Sequence, residues 1–247
     1  MSLTLFQWIN LLGGIILILL LIRLGWNMWI GSSDFPQEWI QARKQNRISR
    51  KLMIKSRLYP DKMRFFSWWL QVERLKKEQV PGAFAELGVY KGSSAAAISL
   101  MDPDRAFHLF DTFEGFNKHD LEYERGEAAT YSTRDFADTH VDMVKRKFRG
   151  NANVIIHKGV FSETRREVEK EQFALVNLDA DLYRPTKEAL EFFYPRLSRG
   201  GVLFIHDYNG KWQGIQRAVD EFVKKIPENM ILLPDSNSTV IIEKSKI

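Results

Sequence analysis

Cysteine is absent from this 247-residue chain, which excludes a disulfide framework, a thiolate metal site and a cysteine nucleophile. Proline is scarce and glycine modest, at 8 and 15 residues, and no repeat or low-complexity tract occurs, so collagen-like and biased-composition architectures are excluded. Acidic residues are missing from 43–57, where the basic ones gather. What is present is 45% hydrophobic, 13% aromatic and 27% charged. A chain of that composition buries enough apolar surface to offset its entropy, so disorder is not its main state. The length allows one sizeable domain and an appendage, and is too short for two full α/β domains. The formal charge of +5 is local. Residues 1–60 hold eight Lys/Arg against Asp34 and Glu38, and the remainder is nearly balanced at 28 against 29. The body therefore has no general reason to bind nucleic acid.

Residues 1–22 carry no charge, Leu11 to Ile22 is almost pure Leu/Ile, and Leu24 to Ile30 extends the apolar stretch with only Arg23 inside. A helix needs about 20 apolar residues to cross a bilayer. Arg23 can snorkel near an interface, and Trp26 and Trp29 sit where an aromatic belt would lie. A cleaved signal peptide wants a basic region ahead of a shorter run, and nothing basic precedes this one. A buried core helix is the third reading. The expectation is a single-pass membrane anchor over 1–31. The basic cluster at 43–57 then keeps its own side, and the catalytic body with it, in the cytoplasm. The same cluster could rest on anionic headgroups or form a solvated helix.

Gly31-Ser32-Ser33 reads as a hinge, and residues 32–77 as a basic, helical lead-in, helical over 36–77. Its aromatics Phe65, Phe66, Trp68 and Trp69 bury in the domain or in a partner chain, which leaves a homo-oligomer open. The domain proper is 78–247. Short apolar runs fall at Ala83–Leu87, Ala106–Phe110, Val154–Ile156, Phe173–Leu178, Val202–Ile205, Met230–Leu233 and Thr239–Ile242. Helical patterns separate most of them, at Ser93–Leu100, Phe136–Phe148, Thr186–Leu197 and Gly214–Lys225. Strands alternating with helices predict an α/β fold, a parallel sheet with helices on both faces. The last two runs are joined by only Pro234 to Ser238, which suits an antiparallel hairpin at the sheet edge. Seven strands ending in an antiparallel one is the Rossmann-like layout of class I methyltransferases. Residues 115–135 are polar with no clear period, and read as a lid or substrate loop, or as a plain surface loop.

The segment from Ala83 to Ser94 runs strand, tight turn, helix. Gly88 and Gly92 permit close approach of a ligand, and Ser93 or Ser94 can cap the helix. Asp111 closes the next strand, where an acid binds ribose hydroxyls in nucleotide folds. The turn lacks the G-x-G pair of dinucleotide sites, and Glu86 at the strand end would repel a pyrophosphate. It would suit the ammonium and sulfonium of S-adenosylmethionine. The plain alternative is a helix start that needs glycine only to pack.

Asp179 and Asp181 follow an apolar strand, and i, i+2 residues share a face if the chain stays extended. His206 and Asp207 repeat the pattern after the next strand. Ligands of open α/β sheets bind outside the carboxyl ends of strands. Acids crowded there repel unless a cation sits among them, and hard carboxylates favour Mg²⁺. Singly, each acid could instead cap a following helix, Asp181 near Pro185 for instance.

GAFAELGVYKGSSAAAIS, FDTFEGF, HKGVFSET, LVNLDADLYRPTKEALEFFYPRLSRGGVLFIHDYN and STVIIEK together resemble the macrocin O-methyltransferase family over about residues 78–245. Residues 1–77 carry no motif of that family. The resemblance implies the class I fold, S-adenosylmethionine as methyl donor, a Mg²⁺ ion and a small-molecule or glycan acceptor bearing a sugar hydroxyl. It implies that Asp179 and Asp207 ligate the metal and that Asp181 is the general base. Glu86, Gly88, Gly92, Ser94 and Asp111 match cofactor-contacting positions, with Gly159 and Phe161 along the adenine edge. His206 departs from the family's acid at that position, which admits Mn²⁺ or Zn²⁺, or a degenerate site. With the anchor, the expectation is a membrane-associated or hydrophobic acceptor. The alternative is an inactive methyltransferase fold serving as a membrane scaffold.

Overall fold

A computed structural model describes residues 4–30, 35–210 and 213–246, without the side chains of 26–30. The hinge at Gly31-Ser32-Ser33 and the belt side chains Trp26 and Trp29 therefore lie outside what is described. The chain divides after Arg47 into two compact units.

The first unit holds helix α1, Leu5–Ile30, and helix α2, Gln37–Lys44. Leu5–Gly25 is long and apolar enough to cross a membrane by length and composition. At 1.5 Å per residue, 26 residues reach about 39 Å, beyond the roughly 30 Å of a hydrocarbon core. Its described side chains are exposed on every face, so α1 has no amphipathic stripe. Helix α2 starts after Pro36 and stops at Gln45, whose N–H bonds Gln41 O.

The second unit starts with helices α3, Arg50–Leu58, and α4, Lys62–Lys77. The stretch expected to be helical over 36–77 is thus three helices. Ser49 caps α3 by accepting from Leu52 N, and Asp61 caps α4 by accepting from Arg64 N. Pro60 bars helical geometry at the residue before it, and Tyr59 is extended at φ −69, ψ 124. The aromatics of α4 bury within the chain itself: Phe65, Phe66, Trp68 and Trp69 are all under 5% exposed. Tyr59 packs edge-on against Trp68 at 5.4 Å.

Seven strands follow: β1 Ala83–Leu87, β2 Phe107–Asp111, β3 Val154–Lys158, β4 Phe173–Leu178, β5 Leu197–Ile205, β6 Ile231–Leu232 and β7 Val240–Glu243. Between them lie α5 Ser93–Met101, α6 Lys118–Leu121, α7 Val141–Lys147, α8 Phe161–Thr164, α9 Tyr183–Arg196 and α10 Gln213–Val223. The sheet order is β3-β2-β1-β4-β5-β7-β6. The first five strands are parallel, and β7 runs antiparallel between β5 and β6. The seven-stranded layout with an antiparallel final strand is the one the sequence predicts.

Alternation sorts the strand residues between two cores. Ala85, Leu87, Val176, Leu178, Leu203 and Ile205 pack with Leu190 and Phe193 of α9 and Val219 of α10. The opposite face of β1 and β4 meets α4 and α5. There Glu86 accepts from Ser94, and Trp68 Nε1 donates to Asn177 Oδ1 at 3.2 Å.

Several expected boundaries move. The helix expected over Phe136–Phe148 starts only at Val141, capped by His140, because Phe136 has φ 58 and ends the preceding loop. Strand β5 begins at Leu197 rather than Val202. The polar stretch 115–135 is not structureless. It contains α6 and a 3₁₀ turn at Gly126–Thr130, pinned by fully buried Ala128.

Candidate active site

A cavity of about 480 Å³ opens at the carboxyl ends of β1 to β5, the position expected for a ligand in a parallel sheet and a volume within the range of small-molecule sites. Gly88, Asp111, Gly159, Phe161, Asp179, Asp181, His206 and Asp207 line it. Glu86, Gly92 and Ser94 do not.

Glu86 is fully buried beneath α5. The period of 2 that brings Ala85 and Leu87 to the α9–α10 core sends Glu86 to the other face. Its Oε1 accepts from the Ser94 hydroxyl, and Oε2 has no hydrogen-bond partner. Burial raises its pKa to about 8, against the pull of Ser94. Glu86 is therefore a support beneath the turn rather than a wall of the cavity. Ser94 is spent on this carboxylate, and neither serine caps α5. The cap is Gly92, in left-handed geometry with no side-chain bond.

Gly88 is the point of closest approach. It has φ +86, and a Cβ there would lie 1.9 Å from the Asp179 carbonyl oxygen. No other residue lets the β1 turn pass the end of β4 this closely. Asp111 fixes the same turn from the β2 side: Oδ2 accepts from Val89 N at 2.8 Å and Tyr90 N at 2.7 Å, and Oδ1 accepts from Phe113 N at 2.6 Å. Burial keeps its pKa above the usual value despite these amides.

At β4 and β5 the arrangement differs. His206 Nδ1 lies 3.0 Å from Asp179 Oδ1 and 2.7 Å from Asp207 Oδ2. Both contacts are ion pairs, and both ring nitrogens and Asp207 Oδ1 are buried without a hydrogen-bond partner. Consecutive residues of an extended strand point to opposite faces. Asp207 escapes that rule by adopting φ 62, and Asp181 likewise has φ 61. Left-handed backbone at non-glycine residues costs free energy and concentrates at functional sites. So Asp179 and Asp181 do share the cavity, through a turn after Leu178 and not through continued extension. Asp181 does not cap α9, whose N-cap is Leu182 without a side-chain bond.

The electrostatics follow. Burial pushes Asp179 up, but the neighbouring His206, with Arg64 behind it, outweighs burial and leaves it below the usual range. Its side chain keeps 27% exposure because it faces the cavity. Burial, then Asp179 and Asp207, push Asp181 well above the usual range. Burial alone would lower His206, yet Asp179 and Asp207 prevail and raise it to about 10. Asp179, His206 and Asp207 each offer one donor atom, all within 4.8 Å of one another. Buried donors without hydrogen bonds on His206 and Asp207, with the half-buried Asp179 beside them, fit a divalent cation, and a set of one nitrogen and two oxygens is chemically suited to one.

Sequence reasoning passed over several residues here. Tyr90, Phe116, Tyr131 and Phe136 line the cavity as a chain of edge-packed rings, 5.2–5.8 Å apart. The aromatics scattered through an apparently polar loop were the available signal. Asn117 and Asp120 line it too; burial raises Asp120 to about 6, although Arg184 stands 3.6 Å away. Arg64, only 8% exposed, pairs with Asp235 at 3.2 Å and adds positive charge near Asp179. No motif marks it, because it lies in the lead-in, far from Asp179 in sequence.

A family model described as Macrocin-O-methyltransferase (TylF) matches residues 62–237. Mycinamicin III 3''-O-methyltransferase of Micromonospora griseorubida is 30% identical over 151 residues, 56% of this chain and 59% of that protein. The 8-demethyl-8-(2,3-dimethoxy-alpha-L-rhamnosyl)-tetracenomycin-C 4'-O-methyltransferase of Streptomyces olivaceus is 29% identical over 148 residues, 56% of this chain and 57% of that protein. The matched stretch thus spans less than two thirds of either relative. In fold, the chain is similar to the O-methyltransferase NovP, with a TM-score of 0.64 at 24% identity over 74% of this chain and 80% of that one. It is also similar to the calicheamicin methyltransferase CalS11, with a TM-score of 0.58 at 22% identity over 88% and 89%. With the family model covering most of the sequence and the seven-stranded sheet matching these neighbours, the chain belongs to the macrocin O-methyltransferase (TylF) family.

Proposed function

We propose that this protein transfers the methyl group of S-adenosylmethionine to a hydroxyl oxygen, with help from a divalent cation. The acceptor is a sugar or related alcohol on a hydrophobic or membrane-associated molecule. The observation that carries the reading is the pairing of two arrangements in one cavity: a glycine turn held by Asp111, and three donor atoms converging from Asp179, His206 and Asp207. The relatives' names, which specify O-methylation at 3'' and 4' positions, support the acceptor class.

In this reading the turn at Gly88 and the rim at Gly159 and Phe161 hold the methyl donor. The acceptor oxygen attacks the methyl carbon, the carbon–sulfur bond breaks, and the hydroxyl proton passes to Asp181. Asp181 lies in the same cavity, and burial with like-charged neighbours raises its proton affinity, which suits a carboxylate that takes up the hydroxyl proton. A cation on Asp179, His206 and Asp207 supplies Lewis acidity that lowers the pKa of the hydroxyl. Sulfonium charge disappears in the step, so the aromatic wall of Tyr90, Phe116, Tyr131 and Phe136 helps by excluding water. Asn117 and Asp120 stand where acceptor hydroxyls would be bound.

Calorimetry with S-adenosylhomocysteine and with NAD tests the donor. Tight binding of the first alone is expected, and binding of neither is the result for a scaffold without turnover. For location, the reading is a single pass by α1 with the catalytic unit in the cytoplasm, motivated by the span at Leu5–Gly25 and the acid-free basic segment 43–57. Because the chain has no cysteine, a single Lys170→Cys variant reports topology cleanly. An impermeant maleimide should spare it in intact cells and label it after lysis; labelling of intact cells overturns the orientation.

A further inference from the structure

We infer that the cation site formed by Asp179, His206 and Asp207 selects a first-row transition metal ion, of the Mn²⁺ to Zn²⁺ series, over Mg²⁺. This rests on the methyl-transfer reading above and adds the identity of the ion class.

The argument begins with the donor atoms. Two ligands each about 2.1 Å from one ion, at right angles, stand about 3 Å apart. His206 Nδ1 stands 3.0 Å from Asp179 Oδ1 and 2.7 Å from Asp207 Oδ2. If these contacts were only ion pairs, the ring N–H would aim at one carboxylate. Instead Nδ1 stands within 3.0 Å of both carboxylates and is left without a hydrogen-bond partner, although His206 is 7% exposed. A ring nitrogen this close to two carboxylate oxygens can share one ion with them.

The backbone supplies a second observation. His206 and Asp207 are consecutive, and in an extended strand only one of them could reach the cavity. The left-handed conformation at Asp207, φ 62, swings its carboxylate back beside the imidazole. Strain of that kind is retained where the neighbouring groups require it, and here it serves to bring nitrogen and oxygen into one donor set. Asp181 adds another carboxylate to the same cavity.

Chemistry then decides the ion. Mg²⁺ prefers an all-oxygen octahedron and parts with water reluctantly. Imidazole suits Fe²⁺, Ni²⁺, Cu²⁺ and Zn²⁺, and affinity for a mixed nitrogen and oxygen site rises from Mn²⁺ through Cu²⁺ and falls at Zn²⁺. A buried imidazole in the centre of the donor set, between its two carboxylates, penalises Mg²⁺ and favours the others. Ligation through Nδ1 leaves Nε2 to carry the one ring proton.

The full chain, purified in detergent and stripped with chelator, is titrated separately with MnCl₂, ZnCl₂ and MgCl₂ by calorimetry, with S-adenosylhomocysteine binding measured on the same sample. Mn²⁺ and Zn²⁺ should each bind more tightly than Mg²⁺, with Zn²⁺ the tighter of the two. The Mn²⁺ form should show ¹⁴N modulation from the imidazole in its electron spin echo. His206→Asp should shrink the preference, Mg²⁺ gaining relative to Mn²⁺. Should that variant fail to fold, the ¹⁴N signal of the unaltered protein still decides. Mg²⁺ binding as tightly as Mn²⁺, Mn²⁺ binding without nitrogen modulation, or no divalent ion binding to protein that does bind S-adenosylhomocysteine each overturns the inference. Failure to bind S-adenosylhomocysteine instead overturns the methyl-transfer reading on which it rests.

Discussion

The two halves of the cavity rim use their acids in opposite ways. At β1 and β2 the carboxylates hold the protein, with Glu86 Oε2 alone of their oxygens left unpartnered. Asp111 accepts three backbone amides and Glu86 accepts from Ser94 under α5. At β4 and β5 the donor atoms of His206 and Asp207 are left without hydrogen bonds in a buried setting, and two aspartates adopt left-handed backbone to face the cavity. Buried polar groups are ordinarily satisfied. The contrast separates a scaffold, which shapes a turn, from a reactive edge whose bonding capacity is kept for a ligand.

The largest test of this division is at the reactive edge. Asp181→Asn should lower turnover by roughly 10²–10⁴ while S-adenosylhomocysteine affinity, measured by calorimetry, stays unchanged. Retained turnover would remove Asp181 from its role and weaken the contrast. On the scaffold side, Gly88→Ala should act on stability. Its Cβ meets the Asp179 carbonyl at 1.9 Å in a region of positive φ, so the cost should exceed about 2 kcal/mol, read as a lowered denaturation midpoint.

Glu86 offers a finer test through pH. Its pKa rises from 4.5 to about 8 on folding, so between those values the folded state holds the proton more tightly than the unfolded state. Its contribution to stability is complete below pH 4.5 and is lost as pH climbs through 8. Glu86→Gln should therefore flatten the alkaline side of the stability profile, with the melting temperature at pH 9 showing the gain. An unchanged profile would mean that Glu86 is not desolvated as described. The smallest effect belongs to the aromatic wall. Phe136→Ala removes ring contacts to Tyr90 and Phe116, each worth about 1 kcal/mol, and should raise the acceptor KM several-fold with little change in kcat.

Legibility in the sequence followed the range of the interaction concerned. Strands β1 and β4 were readable because largely apolar runs, interrupted only by Glu86 and Asn177, mark strands buried on both faces. The break at Tyr59-Pro60-Asp61 was written in local chemistry and was overlooked only because the helical pattern resumes beyond it. Glu86 was placed at the right strand end but given the wrong neighbours, since its face depends on which helix covers each side of the sheet. The loop at 115–135 was least readable. Its order comes from Ala128 joining the core and from rings far apart in sequence meeting, and neither leaves a period along the chain.

Composition and pattern by themselves determined an apolar stretch long enough to span a bilayer, a parallel sheet closed by an antiparallel strand, and acids at the ends of four strands. These are consequences of local hydrophobicity and alternation. Only the tertiary structure decided which acids face a ligand and which support the fold, and it brought His206 between Asp179 and Asp207. Those outcomes rest on backbone turns at Asp181 and Asp207 and on contacts between strands remote in sequence, which no local pattern encodes.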